Sequence, residues 1–252
     1  MEETIDQAVW RAVDVMRDNL GENLTLDDIA RAAMYSKYHF ARAFHRRTGV
    51  PPARFLSALR LAEAKRLLVS TRVTVTGISH QVGYSSFGTF SSRFTSVVGM
   101  SPNAYRQCGG YVSRIRLDPH GAETRSAAVV RGRIHSGRPL GPVFAGLFPS
   151  PIPQASPVRC AVLPGPGRFV FTAVPPGVWY LLAQSTAPGA EGRLGHPDSG
   201  DPPPWVASCG PIVIGPGDRD RTADALLRPM RTIDPPVLLA LLNVRSAALT
   251  AS

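Results

Sequence analysis

Leu24–Gly49 reads LTLDDIARAAMYSKYHFARAFHRRTG, and Val73–Gly99 reads VTVTGISHQVGYSSFGTFSSRFTSVVG. Both stretches begin with an apolar–Thr–apolar triplet, reach a Ser, place two Phe four residues apart and close on Gly. Val73 lies 49 residues after Leu24, whereas the Ser of the second stretch lies 50 residues after that of the first. An internal repeat of this kind predicts one structural unit used twice, with one residue gained in the second copy.

Each copy predicts two helices joined by a tight turn. In the first copy, Thr25 is placed to cap a helix, and Asp28 completes a variant of the capping box. Ser36 is placed to cap a second helix, whose two Phe lie on one side, and Gly49 is placed to end it. The opposite side of that helix is basic. A short helix followed by a turn and a basic helix favours a helix-turn-helix, although the same Phe pattern is also typical of a plain all-α core.

Charge is concentrated in the repeated segment. The 252-residue chain has a net charge of +10 and a pI of about 10.4. Residues 36–106 hold eleven Lys and Arg against Glu63 alone, whereas residues 1–35 have a net charge of −5 and residues 107–252 one of +5. A positive field of this kind attracts a polyanion and makes its binding salt-dependent. Because the charge coincides with the repeat, we expect nucleic acid as the partner.

Further helices are predicted around the two copies. Apolar residues recur at helical spacing over Ile5–Leu20 and again over Pro51–Thr71, which predicts a first amphipathic helix and one long connecting helix. Ser101 and Pro102 begin a short last helix. No membrane span or signal peptide is expected. Three distant cysteines indicate reduced thiols, and the histidine spacing predicts no metal site, so the chain is expected to be cytoplasmic and to need no cofactor.

The residues of segment 5–107 resemble the DNA-binding domain of the AraC/XylS-type bacterial transcriptional regulators. The matching stretches are Leu26–Ala30, Ser36–Phe44, Arg60–Leu68, Val82–Ser86 and Phe90–Phe94, followed by Gly99, Ser101-Pro102 and Tyr105-Arg106. The resemblance implies a seven-helix domain with two helix-turn-helix units, a role as a sequence-specific transcriptional regulator rather than an enzyme, and association with the bacterial nucleoid. It also implies that two second helices enter successive major-groove segments of one duplex.

Carried over by position, the resemblance assigns DNA-binding residues to both units. They are Lys37, Tyr38, Ala41, Arg42 and Arg46 in the first unit, and Phe87, Gly88, Thr89, Ser91 and Ser92 in the second. Lys37 and Arg46 are expected nearer phosphate. The planar fork of Arg42 makes it the candidate for bidentate contact to guanine. Because the second unit lacks long polar side chains, we expect the first to supply most hydrogen-bonded specificity.

Beyond a predicted linker at residues 108–126, residues 127–252 change character. Short β-rich runs at Ala127–His135, Val143–Phe148, Arg168–Val174 and Val178–Gln184 predict a small antiparallel β-sandwich. The run from Gly167 to Ala183 resembles carboxypeptidase-regulatory-like (transthyretin-like) modules. A closing helix through Val237–Val244 or a final strand is expected, and residues 186–204 are expected to form a loop.

The sequence does not favour an enzyme or an RNA-binding protein. An enzyme would need a nucleophile with a base, but Ser208 and His196 have no partner pattern. RNA binding would predict exposed aromatics on a basic sheet, whereas the basic residues here are helical. The aromatic residues Trp179, Tyr180 and Trp205 fit a sandwich core better than a pocket. We expect duplex DNA and RNA polymerase as partners, with a small-molecule effector or a second copy at the C-terminal domain, and no membrane.

Overall fold

The computed structural model describes residues 5–112, 117, 128–185, 203–239 and 241–242. The chain divides into two units. The first, called here the helical unit, comprises Met1–Gly110 together with Arg231–Leu238, and the second comprises Tyr111–Met230 with Leu239–Ser252. The sequence did not predict that a C-terminal segment would join the helical unit. Most of the expected linker lies outside the described residues.

Seven helices form in the described part of residues 5–110, as the family resemblance implied. They are α1 (Ile5–Asp18), α2 (Leu26–Ala32), α3 (Lys37–Thr48), α4 (Pro52–Ser70), α5 (Val75–Gln81), α6 (Phe87–Val98) and α7 (Pro102–Gln107). The expected amphipathic first helix, long connector and short last helix correspond to α1, α4 and α7. In the part of the chain that the structure describes, no helix combines the length and apolarity needed to cross a bilayer.

The two copies have helices of equal length and differ by one residue in the turn. The hydroxyl oxygen of Thr25 accepts a hydrogen bond from the Asp28 amide, and the Asp28 carboxylate accepts one from the Thr25 amide, which confirms the capping box. Ser36 occupies the N-cap of α3 but makes no side-chain capping bond, so that expected contact is wrong. The turn between α2 and α3 has four residues and that between α5 and α6 has five, which places the extra residue in the second turn.

Paired phenylalanines anchor α3 and α6 in the core. Phe44 is fully buried and meets the ring of Phe55 on α4 edge to face, with 5.3 Å between ring centroids. Phe94 meets Tyr105 of α7 in the same way at 5.6 Å. Burial of these rings removes one whole side of each helix from water, so the opposite sides of α3 and α6 form the surface.

The second unit is built from strands. They are β1 (Tyr111–Val112), β2 (Val129–Ser136), β3 (Val143–Phe148), β4 (Arg159–Leu163), β5 (Arg168–Phe171), β6 (Gly177–Ser185), β7 (Trp205–Ile214), β8 (Asp220–Thr222), β9 (Ala225–Pro229) and β10 (Leu241–Leu242). The four predicted strands are present as β2, β3, β5 and β6. Strands β4, β7, β8 and β9 were not predicted.

The antiparallel sandwich is not confirmed. Eight strands form one hydrogen-bonded sheet in the order β4-β3-β6-β7-β9-β2-β5, with β8 also pairing with β2. Strand β2 pairs parallel with both β8 and β9, because the chain returns to it from the same direction after the long excursion through β7. Two separate antiparallel layers would give two sheets, rather than one continuous order of hydrogen-bonded strands.

The C-terminal end also differs from the expected helix. Residues 231–239 form turns and extended chain, and Val237 to Leu239 contain no helix. Leu241 and Leu242 pair parallel with Tyr111 and Val112, which is the final strand that the sequence left open. Nearly all of the expected loop at residues 186–204 lies outside the described residues.

Aromatic residues of the second unit support the core interpretation rather than a pocket. Trp179 and Trp205 are partly buried and pack against the main apolar cluster of the sheet. Tyr180 packs against a smaller cluster formed by Phe148, Leu182 and Leu239. The indole nitrogen of Trp179 donates a hydrogen bond to the Pro175 carbonyl at 2.9 Å, so its polar atom is used within the fold.

Candidate nucleic-acid interface

The outer side of α3 carries the first set of predicted DNA-binding residues. Tyr38 is 79% exposed, and Lys37, Arg42 and Arg46 are also exposed, whereas Ala41 is half-buried among them. This division follows from helical geometry, because Phe40 and Phe44 hold the other side in the core. The predicted residues of the first unit are therefore together on one accessible side of one helix.

The cations on this side differ in their surroundings. The Lys37 ammonium donates to the Asp27 carboxylate of α2 at 2.8 Å, and this hydrogen bond raises the pKa of Lys37. Arg42 and Arg46 form neither a hydrogen bond nor an ion pair with any residue that the structure describes. Their guanidinium groups are therefore available to an external partner, while Lys37 would have to exchange Asp27 for a phosphate.

The outer side of α6 carries the second set. Phe87 is 41% exposed, Gly88, Thr89 and Ser92 are exposed, and Ser91 is half-buried. The Thr89 hydroxyl accepts a hydrogen bond from the Ser86 hydroxyl at 2.9 Å, within the cap of the helix. One lone pair of that hydroxyl is thus used within the helix cap. Apart from the Phe87 ring, the side chains of this set are short.

Arg93 is a cation that the predicted site omitted. It is exposed on α6 and has no hydrogen-bond or ion-pair partner among the residues described. Alignment of the two copies places Arg93 opposite Ala43, which is only 2% exposed on α3. Arg93 therefore lies at the edge of the outer side, next to the buried side of α6. Its charge and its place on the second helix of the repeat are the signals by which the sequence could have identified it.

Polar contacts fix the two outward-facing helices within the helical unit. Arg47 of α3 donates through two nitrogens to the Asp6 carboxylate of α1, and this hydrogen bonding lowers the pKa of Asp6. Arg106 of α7 donates to the carbonyls of Leu68, at 3.0 Å, and Val73, at 2.6 Å. The second bond satisfies the carbonyl just before α5, which positions the start of the second helix pair.

Among residues with described positions, no three His, Cys, Asp or Glu are grouped as metal ligands. The three cysteines are free, and burial raises the pKa of Cys160 to about 11 and also raises that of Cys209. These two thiols are therefore kept in the unreactive protonated form.

Comparison with known proteins identifies the helical part of the chain. A helix-turn-helix domain family model matches residues 29–107. The transcriptional activator AarP of Providencia stuartii is 34% identical over 102 residues, which cover 40% of this chain and 76% of AarP. The lactose operon transcription activator of Staphylococcus xylosus is 29% identical over 102 residues, which cover only 37% of that protein.

Solved structures are similar over the same part. An AraC-type transcriptional regulator from Chromobacterium violaceum is 31% identical, covering 40% of this chain and 93% of its own, with a TM-score of 0.38. The DNA-binding domain of AdpA, solved with a target DNA, is 28% identical, covering 40% and 91%, with a TM-score of 0.39. From the extent of the match to AarP, the chain belongs to the AraC/XylS-type family of transcriptional regulators, which are not enzymes.

Proposed function

We propose that the chain binds duplex DNA in a sequence-specific manner through two helix-turn-helix units, α2–α3 and α5–α6, and so regulates transcription. One observation carries the proposal. Both α3 and α6 bury a pair of phenylalanines on one side and leave the opposite side exposed, in a segment where cations greatly exceed acids. A helix held in this way can enter the major groove, and two such helices reading one duplex would lie about 34 Å apart, one helical turn.

The first unit is the main source of base-specific hydrogen bonds in this proposal. Arg42 is exposed, has no internal partner among the described residues, and lies on the same side as Tyr38. A guanidinium group can donate two parallel bonds to O6 and N7 of guanine, which gives about 1–3 kcal/mol of discrimination. Arg46, one turn further along the helix, is placed for a phosphate.

The second unit contributes shape and apolar contacts. Gly88 and Ser92 have no long polar group, and the Thr89 hydroxyl is engaged by Ser86. The Thr89 methyl and the Phe87 ring remain available to thymine methyl groups. Reading by groove shape and deformability would then supply the remaining specificity of this unit.

Selection of bound sites from random duplexes with the full chain tests the proposal. We expect an enriched motif with two segments separated by one helical turn. Arg42→Ala should cost about 1–3 kcal/mol and relax one guanine position, whereas Thr89→Ala should cost less and Arg133→Ala, an exposed arginine of the second unit, should change nothing. Absence of any enriched motif at moderate salt would overturn the proposal. A larger specificity loss for Thr89→Ala would overturn the inequality between units.

The other expected partners remain proposals. Two of the relatives that match are named as transcription activators, which supports contact with RNA polymerase in this chain as well. An effector or a second copy at the second unit is proposed only from the resemblance. The matches to AarP and to the lactose operon activator each cover 40% of this chain, so they do not support a role for the whole second unit.

A further inference from the structure

The segment Arg231–Leu238, called here the return segment, belongs to the helical unit although the strands before and after it belong to the second unit. Ile233 is 2% exposed and Leu238 is 1% exposed. Burial of these two large aliphatic side chains removes more apolar area from water than an exposed linker would. The return segment also lies outside residues 29–107, the part that the family model matches.

Two helices bind the backbone of the return segment near its two ends. Arg17 of α1 donates to the Thr232 carbonyl at 3.4 Å, and Lys65 of α4 donates to the Val237 carbonyl at 2.9 Å. Lys65 is itself only 5% exposed, and its ammonium nitrogen lies 5.8 Å from the centre of the Tyr105 ring. The Lys65 side chain is thus buried, and a backbone carbonyl of the return segment accepts its hydrogen bond.

The return segment is also electrostatically linked to α3. Asp234 is 8% exposed, and its carboxylate accepts hydrogen bonds from the backbone and the side chain of Arg231, closing a short turn. The pKa of Asp6 is lowered first by its hydrogen bond to Arg47 and additionally by the charge of Arg231. The pKa of Arg47 is raised first by Asp6 and additionally by Asp234. The turn therefore adds one charge of each sign around the ion pair that holds α3 to α1.

We propose that α1 and α4 form a docking surface whose occupant is the return segment of the same chain, and that its occupancy sets the affinity of the helical unit for DNA. The docking stands by itself, whereas its effect on DNA affinity rests on the proposed function. When docked, the return segment fills the surface between the helices and supports the Asp6–Arg47 pair, so α3 is held for reading. When it leaves, Arg17 and Lys65 lose the Thr232 and Val237 carbonyl acceptors, the ion pair loses the adjacent charges, and α3 is held less firmly.

Chain connectivity makes the docking a route for regulation. One residue, Met230, separates the end of β9 at Pro229 from the return segment, and β10 begins at Leu241, three residues after the segment ends. A change in either strand end would pull on eight residues that are part of the helical unit. An event in the second unit could thus alter DNA affinity without any change in the residues that face DNA.

Hydrogen exchange and duplex binding of the full chain test the two halves separately. We compare Ile233→Asp with Leu226→Asp, which makes the same chemical change at a position 63% exposed on β9. The first variant should accelerate exchange of α1 and α4 amides at least tenfold and weaken binding to the selected duplex about tenfold, with β3 and β6 amides unchanged. The second should leave both unchanged. If Ile233→Asp also exposes β3 and β6, the milder Ile233→Ala and Asp234→Asn take its place.

Each outcome tests either the docking of the return segment or its coupling to DNA binding. Unchanged exchange in α1 and α4 with every return-segment variant would overturn the docking itself. Faster exchange with unchanged duplex affinity would overturn the coupling and leave the docking supported. Failure of the unmodified chain to select any sequence would instead refute the proposed function, and the exchange result would still judge the docking surface.

Discussion

Met34 and Gly83 occupy the same position in the turns that join α2 to α3 and α5 to α6, and both have left-handed backbones, with φ of 58° and 82°. The amide of Met34 donates to the Arg31 carbonyl and that of Gly83 to the His80 carbonyl, both at 2.9 Å. The turn therefore imposes the same conformation on a methionine and on a glycine. Only the glycine adopts this conformation without a steric cost to its side chain.

Replacement of Met34 by Gly should stabilise the protein. Met34 is 71% exposed, so little burial is lost, and relief of the left-handed strain should raise the free energy of unfolding by about 0.5–1 kcal/mol. Gly83→Ala should have the opposite effect, because the alanine Cβ would lie 2.4 Å from the Leu20 carbonyl oxygen. This substitution should lower the free energy of unfolding by more than about 2 kcal/mol. Urea unfolding followed by helical circular dichroism measures both. Destabilisation by Met34→Gly would contradict the strain argument.

The helical unit could be predicted in detail because its signals are local. Thr25 with Asp28, the paired phenylalanines and the closing Gly49 each act within a few residues, and all were placed correctly. The return segment could not be predicted, because nothing near Ile233 indicates a binding surface on helices formed more than 160 residues earlier. Its burial depends on tertiary contacts, which local patterns do not encode.

In the second unit, too, strands with a local signal were predictable and strands that depend on distant pairing were not. Phe169 and Phe171 alternate with exposed residues, so β5 was predicted from its own sequence. Strand β9 has the equally short sequence ALLRP and no turn signal that distinguishes it, and its pairing with β2 joins residues about 90 apart. For the proposed DNA-binding site, exposure of Arg42 is predictable from helical spacing, whereas the Lys37–Asp27 pair requires the fold.

Gly88→Gln should add specificity to the second unit. A Cβ at Gly88 would meet no atom within 4 Å, so a side chain fits, and glutamine should favour the helix by up to about 1 kcal/mol. On the proposed DNA-facing side, its amide could bond adenine N6 and N7, which is worth about 1–3 kcal/mol. Site selection should then show a new adenine in the second segment of the motif.

The matched control for that change is Gly77→Gln on α5. There a Cβ would lie 3.0 Å from Val73 Cγ1 and 3.1 Å from the Thr74 hydroxyl that caps the helix. It should give no new base preference and no gain in stability. If Gly88→Gln alters no base preference while binding is otherwise normal, α6 does not present this position to DNA.

Lys65 should make stability depend on pH. Burial lowers the pKa of Lys65 from 10.5 to about 7, so between these values the unfolded chain binds more protons than the native one. Stability therefore rises with pH from about 7 upward, by at most about 1.4 kcal/mol per unit, and the full cost of burying the charge is present below pH 7. Lys65→Met, which keeps the buried stem, should remove this slope between pH 6 and 9.

The control for Lys65→Met is Lys37→Met. Lys37 is exposed and its pKa is raised by Asp27, so it stays charged in both states across this range and contributes no slope. A slope that persists in Lys65→Met would assign the pH dependence to another group.

Arg46→Gln and Arg93→Gln should weaken DNA binding without changing its sequence preference. Both arginines are exposed on the proposed DNA-facing helices and have no internal partner in the described structure, so each is placed for one phosphate. Loss of one phosphate contact lowers the slope of log binding constant against log salt by about 0.9, because one fewer counterion is released. Titrations of one duplex at several salt concentrations measure this slope, with Arg133→Gln of the second unit as the control. A changed base preference at constant slope would show instead that the arginine reads a base edge, and an unchanged slope and affinity would place it away from the DNA.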